Sequence, residues 1–236
     1  MGILTKYVSA FFIVLSMVSG PVYAFGDDED EFFVEEIPTP KQLNGQISAF
    51  TTGLETILKK IPKELMQKAQ ALAVINTKKG GFIFAIEAGT GVMSVNNGED
   101  WSNLAFVTSS AASVGFQAGI EAKTLVLVFT DRNDAEKILK GNLKLGVGLD
   151  IVAGPLATDV GTNMVFDKGV YSYSDGMGLF AGLSLKGSSI SLDPLPNQGL
   201  YGKKNLTASQ IFYGNLNSSA SKANNLRDVL RAATEK

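Results

Sequence analysis

The sequence predicts an α+β domain: a curved or barrel-like, mainly antiparallel β-sheet with an N-terminal amphipathic helix and C-terminal helices. Three observations predict it. Apolar residues recur at helical spacing from Leu43 to Ile61. Through the middle of the chain the period changes to two, and glycines inside the alternating runs permit close backbone approach and sheet curvature. Helical signals return after Thr207. The chain has 236 residues, 45% of them hydrophobic, and no Pro/Gly/Ser linker divides its middle, so one globular domain is expected.

Two segments precede that domain. Lys6 gives a weakly positive start, Val8 to Val18 is an apolar stretch, and Val22-Tyr23-Ala24 places small residues at −3 and −1 of a cleavage point. Together they form a secretory signal peptide over residues 1–24. The apolar run is short for a bilayer span, which needs about 20 residues. The chain has no cysteine, so a bacterial lipoprotein anchor is excluded, and a periplasmic or cell-envelope location is expected. Residues 25–40 carry seven acids, no base and two closing prolines. They read as a disordered acidic arm. Consecutive acids without a glycine at EF-hand spacing do not make a calcium loop. The remaining domain, 41–236, holds 20 basic and 16 acidic residues, a net +4 against −2 for the whole chain.

Leu43, Ile47, Phe50, Leu54, Ile57, Leu58 and Ile61 define a helix over about Lys41 to Lys60, and Pro62 fits the first position of a second, short one. Lys59, Lys60, Lys63 and Lys68 gather at that junction. Phe82, Phe84 and Ile86 then alternate with Ile83, Ala85 and Glu87. Asn96-Asn97-Gly98 signals a hairpin turn. Val114, Phe116, Ala118 and Ile120 alternate with Gly115, Gln117, Gly119 and Glu121. Thr124 to Phe129 is continuously apolar, a strand buried on both faces. Asp131 to Lys140 reads as a short helix stopped by Gly141. Leu143 to Ile151 alternates again, as does Leu179 to Lys186. Thr207-Ala208-Ser209-Gln210 is a capping box for a helix ended by Gly214. Ala223, Leu226, Val229 and Leu230 mark a last helix to about Ala233, with Arg227 and Arg231 on a solvated face.

The chemistry available is narrow. There is no histidine and no cysteine, which removes the Ser-His-Asp triad, thiol nucleophiles, and imidazole or thiolate metal sites. Ser184 falls mid-strand beside Lys186, not on a strand-to-helix turn. Ser219 and Lys222 match S-x-x-K without its companion motifs. Gly146-Val147-Gly148 lacks the third glycine of a dinucleotide fingerprint. Glu87, Glu121 and Asp150 fall on polar strand faces, but no spacing pairs them. No enzyme activity, cofactor, metal or nucleic-acid partner is expected.

In order along the chain stand Ile61-Pro62, Ala69, Leu72-Ala73, Lys79-Gly80-Gly81-Phe82, Gly89-Thr90-Gly91-Val92 and Trp101-Ser102. Then come Gly115-Phe116-Gln117-Ala118-Gly119-Ile120-Glu121, Ala153-Gly154-Pro155, Tyr171-Ser172-x-Ser174, and Phe180-Ala181-Gly182-Leu183-Ser184-Leu185-x-Gly187-Ser188. Tyr201-Gly202 closes the series. Over residues 61–214 the chain resembles the SYLF domain family. Two departures stand out. Ala157-Thr158-Asp159 follows Leu156 where the family often has glycine and arginine, and two extra residues lie between Ser174 and Gly178. The resemblance implies binding of anionic lipids, phosphoinositides in eukaryotic members, and actin binding in the fungal branch.

The expected function is non-enzymatic binding of anionic phospholipid or a membrane surface in the cell envelope, through Lys59, Lys60, Lys63 and Lys68. A helix packed on the sheet with its lysines solvated fits the same pattern. The alternative function is a protein-interaction module without a lipid ligand. Export makes its own prediction: N-terminal sequencing of the mature protein starts at Phe25, and a mature chain that retains Gly2 refutes the signal peptide.

Overall fold

The computed structural model describes residues 36–81, 84–114, 119–146, 149–158, 166–167, 169–175 and 187–235, with backbone alone for 79–81, 84–86, 112–114, 119–121 and 142. The segment read as a signal peptide, most of residues 25–40, and the run Leu179 to Lys186 with Ser184 lie outside these residues.

The first helix, α1 (Pro40–Leu58), starts where its sequence dictates. The Thr39 N–H donates to Gln42 Oε1 at 2.8 Å, and the Gln42 N–H donates back to Thr39 Oγ1 at 3.4 Å. This reciprocal box satisfies two otherwise orphaned donors, and Pro40 fills a position that needs no N–H. Leu43, Ile47, Phe50, Leu54 and Ile57 are all buried. Phe50 faces the sheet and meets Phe106 edge to face at 6.3 Å. Gly53 lets the helix approach closely, because a Cβ there would lie 2.8 Å from Thr124 Cγ2. Pro62 caps α2 (Lys63–Met66) rather than opening it; its ψ of 137° is extended, so it stands just outside the helix.

Four long strands follow: β1 (Ala71–Gly81), β2 (Phe84–Val95), β3 (Ala105–Val114) and β4 (Gly119–Phe129). Next come α3 (Arg132–Ala135), a 3₁₀ turn over Glu136–Lys140, and β5 (Asn142–Lys144), β6 (Ile151–Ala153), β7 (Val170–Ser174) and β8 (Ser189–Leu192). Helices α4 (Pro194–Tyr201), α5 (Ala208–Tyr213) and α6 (Lys222–Thr234) end the chain. The eight strands among the described residues form one sheet in the order β5-β8-β3-β2-β1-β4-β7-β6. Neighbours run antiparallel except β6 and β7, which are parallel.

The sheet is a curled half-barrel, and the connectivity requires it. β5 and β6 are its opposite edges, yet six residues, 145–150, join them. A flat eight-strand sheet places its edges about 34 Å apart at ~4.8 Å per strand. Seven extended steps span at most about 25 Å. The connection is shorter still, because Gly146 takes a φ of +77° and its N–H bonds to Leu149 O at 3.0 Å. Gly89 and Gly91 accept the curvature on β2: a Cβ on Gly91 would strike the Val74 carbonyl of β1, and one on Gly89 would meet Ile75 Cγ2 at 2.8 Å.

Both faces of the sheet centre are buried. Ala71 to Ile75 and Leu125 to Phe129 are inaccessible at every position, so the two-faced reading of β4 holds. The Asn96 turn also holds: Gly98 has a φ of +92° and donates to Asn96 Oδ1 at 2.8 Å. The capping box of α5 and its Gly214 end hold as well.

Four further readings change. The alternation Phe82 to Glu87 crosses a chain reversal, since Gly81 pairs with Ala85; Val114 to Glu121 likewise bridges the end of β3 and the start of β4. Leu143 to Ile151 is not one strand but β5 and β6 with a glycine turn between them, although Leu143, Leu145, Leu149 and Ile151 all reach the core. Asp131 to Lys140 is one α-turn that tightens into 3₁₀ before Gly141, whose φ is +104°.

Two glycines give opposite expectations. Gly91→Ala forces β1 and β2 apart and should cost stability at the upper end of about 1–3 kcal/mol. Gly45→Ala, mid-helix with nothing within 4 Å of the new methyl, should add about 0.5–1 kcal/mol. Urea midpoints measure both.

Candidate functional site

The turn between α1 and α2 carries the four lysines. It is fixed by Lys60 N–H to Ile57 O at 2.8 Å and Ile61 N–H to Leu58 O at 3.1 Å, with Ile61 and Pro62 buried beneath. The lysines do not share one role. The Lys60 ammonium is half-buried and donates to Ser174 O at 3.1 Å, tying the turn to the end of β7. Lys68 stands 5.8 Å from the centre of the Phe166 ring, a cation–π contact. Lys59 and Lys63 are exposed, with no carboxylate partner among the described residues.

The lysine turn meets a second surface that the sequence did not reveal. The Ala157 N–H donates to Lys60 O at 2.9 Å. Ala157 ends the segment that begins with β6, and in it Val152 is 46% exposed and Leu156 45%. Ala153-Gly154-Pro155 lies between them, a run that carries the family resemblance without announcing an exposed apolar surface. The apolar stripe of α1, in contrast, is entirely buried in the core, between the sheet and the C-terminal helices.

The carboxylates do not assemble a catalytic pair among the described residues. Glu87 is buried, and its Oε1 lies 3.4 Å from Lys123 Nζ without a hydrogen bond. The backbone register pairs position 79 with Glu87 on β2 and with position 121 on β4. Asp150 is exposed, and its carbonyl accepts the Val170 N–H. An open cleft of about 350 Å³ beside this region is lined by Asn76, Lys78, Thr90, Lys123, Thr124 and Asp175 among others. The one carboxylate among its described lining residues, Asp175, accepts the Thr124 N–H at 2.9 Å. Ser219 of the S-x-x-K match donates its hydroxyl to Gly199 O at 2.9 Å. No metal-binding cluster occurs among the described residues, and no described helix is long and apolar enough to cross a membrane.

Arg227 and Arg231 are not a solvated face. Both grip Asp100, on the turn between β2 and β3, at 3.0 Å, and Arg227 Nε also donates to Trp101 O at 3.0 Å. Their shared partner lies too far back in the chain for spacing to find it. The hydrogen bond from Arg231 holds the Asp100 carboxyl below its usual pKa, against a smaller opposing effect of burial.

The family profile described as "Ysc84: Las17-binding protein actin regulator" matches residues 110–233. The chain belongs to this family. Ysc84 membership agrees with the SYLF resemblance of its motifs. It is 31% identical over 180 residues to SH3 domain-containing YSC84-like protein 1 of Xenopus laevis, covering 75% of this chain and 53% of that one. The human protein of that name matches at the same identity, with 52% of its length covered. LAS seventeen-binding protein 3 of Saccharomyces cerevisiae is 31% identical over 162 residues, 66% of this chain and 35% of that protein. The chain therefore spans about half the length of the vertebrate relatives. No solved structure matches it. Several Ysc84-family landmarks have structural duties here. Ser102 Oγ accepts the Val95 N–H at 2.9 Å, Gly154 packs against the Tyr173 ring, and the Tyr201 hydroxyl donates to Leu104 O.

The Asp100 clamp is testable. The carboxylate is 39% exposed, so screening limits the effect of Asp100→Asn to about 1 kcal/mol. A carboxyl with a depressed folded-state pKa stabilises above its unfolded value, near 3.9. The gap between parent and variant should be full above about pH 5 and vanish as pH falls through the lower folded-state value. Thermal melts across pH 2–7, a range set by those values, check it.

Proposed function

We propose that this chain is a non-enzymatic binding module that holds anionic phospholipid at a membrane surface, and that it does so in the cell envelope after export. The observation that carries the lipid reading is the pair Lys59 and Lys63, exposed and without carboxylate partners among the described residues, beside Lys60 on a rigid turn of a domain with net +4. Each lysine near an anionic leaflet contributes about 1 kcal/mol, which supports weak, reversible association. Lys60 and Lys68 already contact Ser174 and Phe166 and add to the local positive field from those positions. The acidic arm of residues 25–40 opposes approach to the same surface. Export rests on the N-terminal sequence pattern alone.

A second reading has its own support. The family description and the yeast relative's name both refer to binding of Las17, which favours a protein-interaction module. Salt separates the two readings, because lysine attraction to lipid is screened within about 8 Å at physiological ionic strength.

The test is co-sedimentation with phosphatidylglycerol vesicles, against neutral vesicles, at low and high salt. Lys59→Gln with Lys63→Gln should weaken binding by roughly thirtyfold, and adding Lys60→Gln and Lys68→Gln should bring the loss to roughly a thousandfold. Parent-like binding by the quadruple variant refutes the lysine site. Salt-insensitive capture of one protein partner, without vesicle binding, favours the second reading.

A further inference from the structure

The apolar stripe of α1 is buried in the core, so the folded domain has to meet a bilayer with other residues. The segment Val152–Leu156 has the properties required. We infer that it is a rigid apolar knuckle that enters the interface of an anionic bilayer, while Lys59 and Lys63 hold the headgroups beside it. This deepens the lipid reading and rests on it.

The side chains are exposed, but the backbone is not loose. The Gly154 N–H donates to Ser172 O at 3.0 Å, and Ser172 Oγ donates to Val152 O at 3.1 Å. The Tyr173 hydroxyl donates to Pro155 O at 3.0 Å. A side chain on Gly154 would collide with the Tyr173 ring, so that ring and the glycine backbone are in direct contact. The Ala157 N–H bond to Lys60 O completes the anchoring and joins the knuckle to the lysine turn. Val152 and Leu156 are thus exposed on a fixed backbone that is hydrogen-bonded to the turn carrying Lys59 and Lys63. Exposed large apolar residues next to lysines match an anionic interface, where stems and apolar tips sink and ammonium groups remain at the headgroups. Among the described residues, exposed acids also stand near this surface: Asp150 precedes β6 at the end away from Leu156, the Asp167 carbonyl accepts the Tyr171 hydroxyl, and Glu64 follows Lys63.

The same geometry disfavours a peptide strand as occupant. β6 is an edge strand of only three residues, and Pro155, which has no N–H to donate, follows shortly after it. A short edge closed by proline is a poor template for strand addition.

The absence of native cysteine allows a direct test on the full chain. Leu156→Cys, carrying an environment-sensitive dye, should shift to the blue with phosphatidylglycerol vesicles and be quenched by spin-labelled lipid. The same dye at Asn133→Cys, exposed on α3, should do neither. Val152→Ser with Leu156→Ser should lose roughly ten- to thirtyfold in vesicle affinity, with the salt dependence retained. The proposal is overturned if the parent binds but the dye at 156 stays unshifted, or if the double variant binds like the parent. A shift that grows with protein concentration in the absence of vesicles assigns the knuckle to a second copy and also overturns it. A parent that ignores phosphatidylglycerol vesicles altogether removes the lipid reading itself.

Discussion

Residues 145–150 connect the two outermost strands of an eight-stranded sheet, and a flat sheet places those strands farther apart than six residues can reach. Curl is therefore built into the connectivity. It demands glycine where β2 bends across β1, at Gly89 and Gly91. It leaves one face of the sheet for α1, which packs through Phe50 and Gly53 on Phe106 and Thr124. The opposite face also fills with apolar side chains, so β1 and β4 are buried on both sides over much of their length. Where β8 stops, the Asn197 side chain extends the pairing. Its amide accepts the Phe106 N–H and donates to Phe106 O, each at 2.8 Å, beside the Asp193 N–H that also donates to Phe106 O.

This arrangement also decides which surfaces remain for binding. An amphipathic helix with lysines at its end invites a picture in which its apolar stripe lies in the membrane. Here that stripe forms one wall of the core, and lifting it out would expose Leu43, Ile47, Phe50, Leu54 and Ile57 together. The lysines stay outside, and the exposed apolar contribution beside them comes from the other end of the chain's topology, at the edge strand next to β7.

The sequence was readable where the rule is local. The Thr39 and Thr207 capping boxes, the apolar period of α1, the Gly98 turn and the apolar run of β4 each depend on a few adjacent residues. β3 was missed because Thr108-Ser109-Ser110-Ala111-Ala112-Ser113 has little hydropathy contrast; its strand form comes from β2 and β8 on either side. Alternation also misled where it continued through a reversal, since a period of two carries no mark of the turn. At the candidate site, residue types located the lysines but not their partners. Ser174 lies 114 positions from Lys60, and Asp100 127 from Arg227. The exposure of Val152 and Leu156 ran against their residue type, so only the folded backbone could show it.

The clamp on Asp100 has an optical side. Trp101 is the chain's single tryptophan. It is buried, its indole N–H donates to Thr234 Oγ1 at 3.2 Å, and its carbonyl accepts Arg227 Nε. Tryptophan emission from the whole molecule thus originates at the contact between the β2–β3 turn and the last helix. Tryptophan fluorescence therefore reports on the docking of α6, and β-sheet dichroism on the sheet, so release of α6 alone would redden the first and leave the second unchanged.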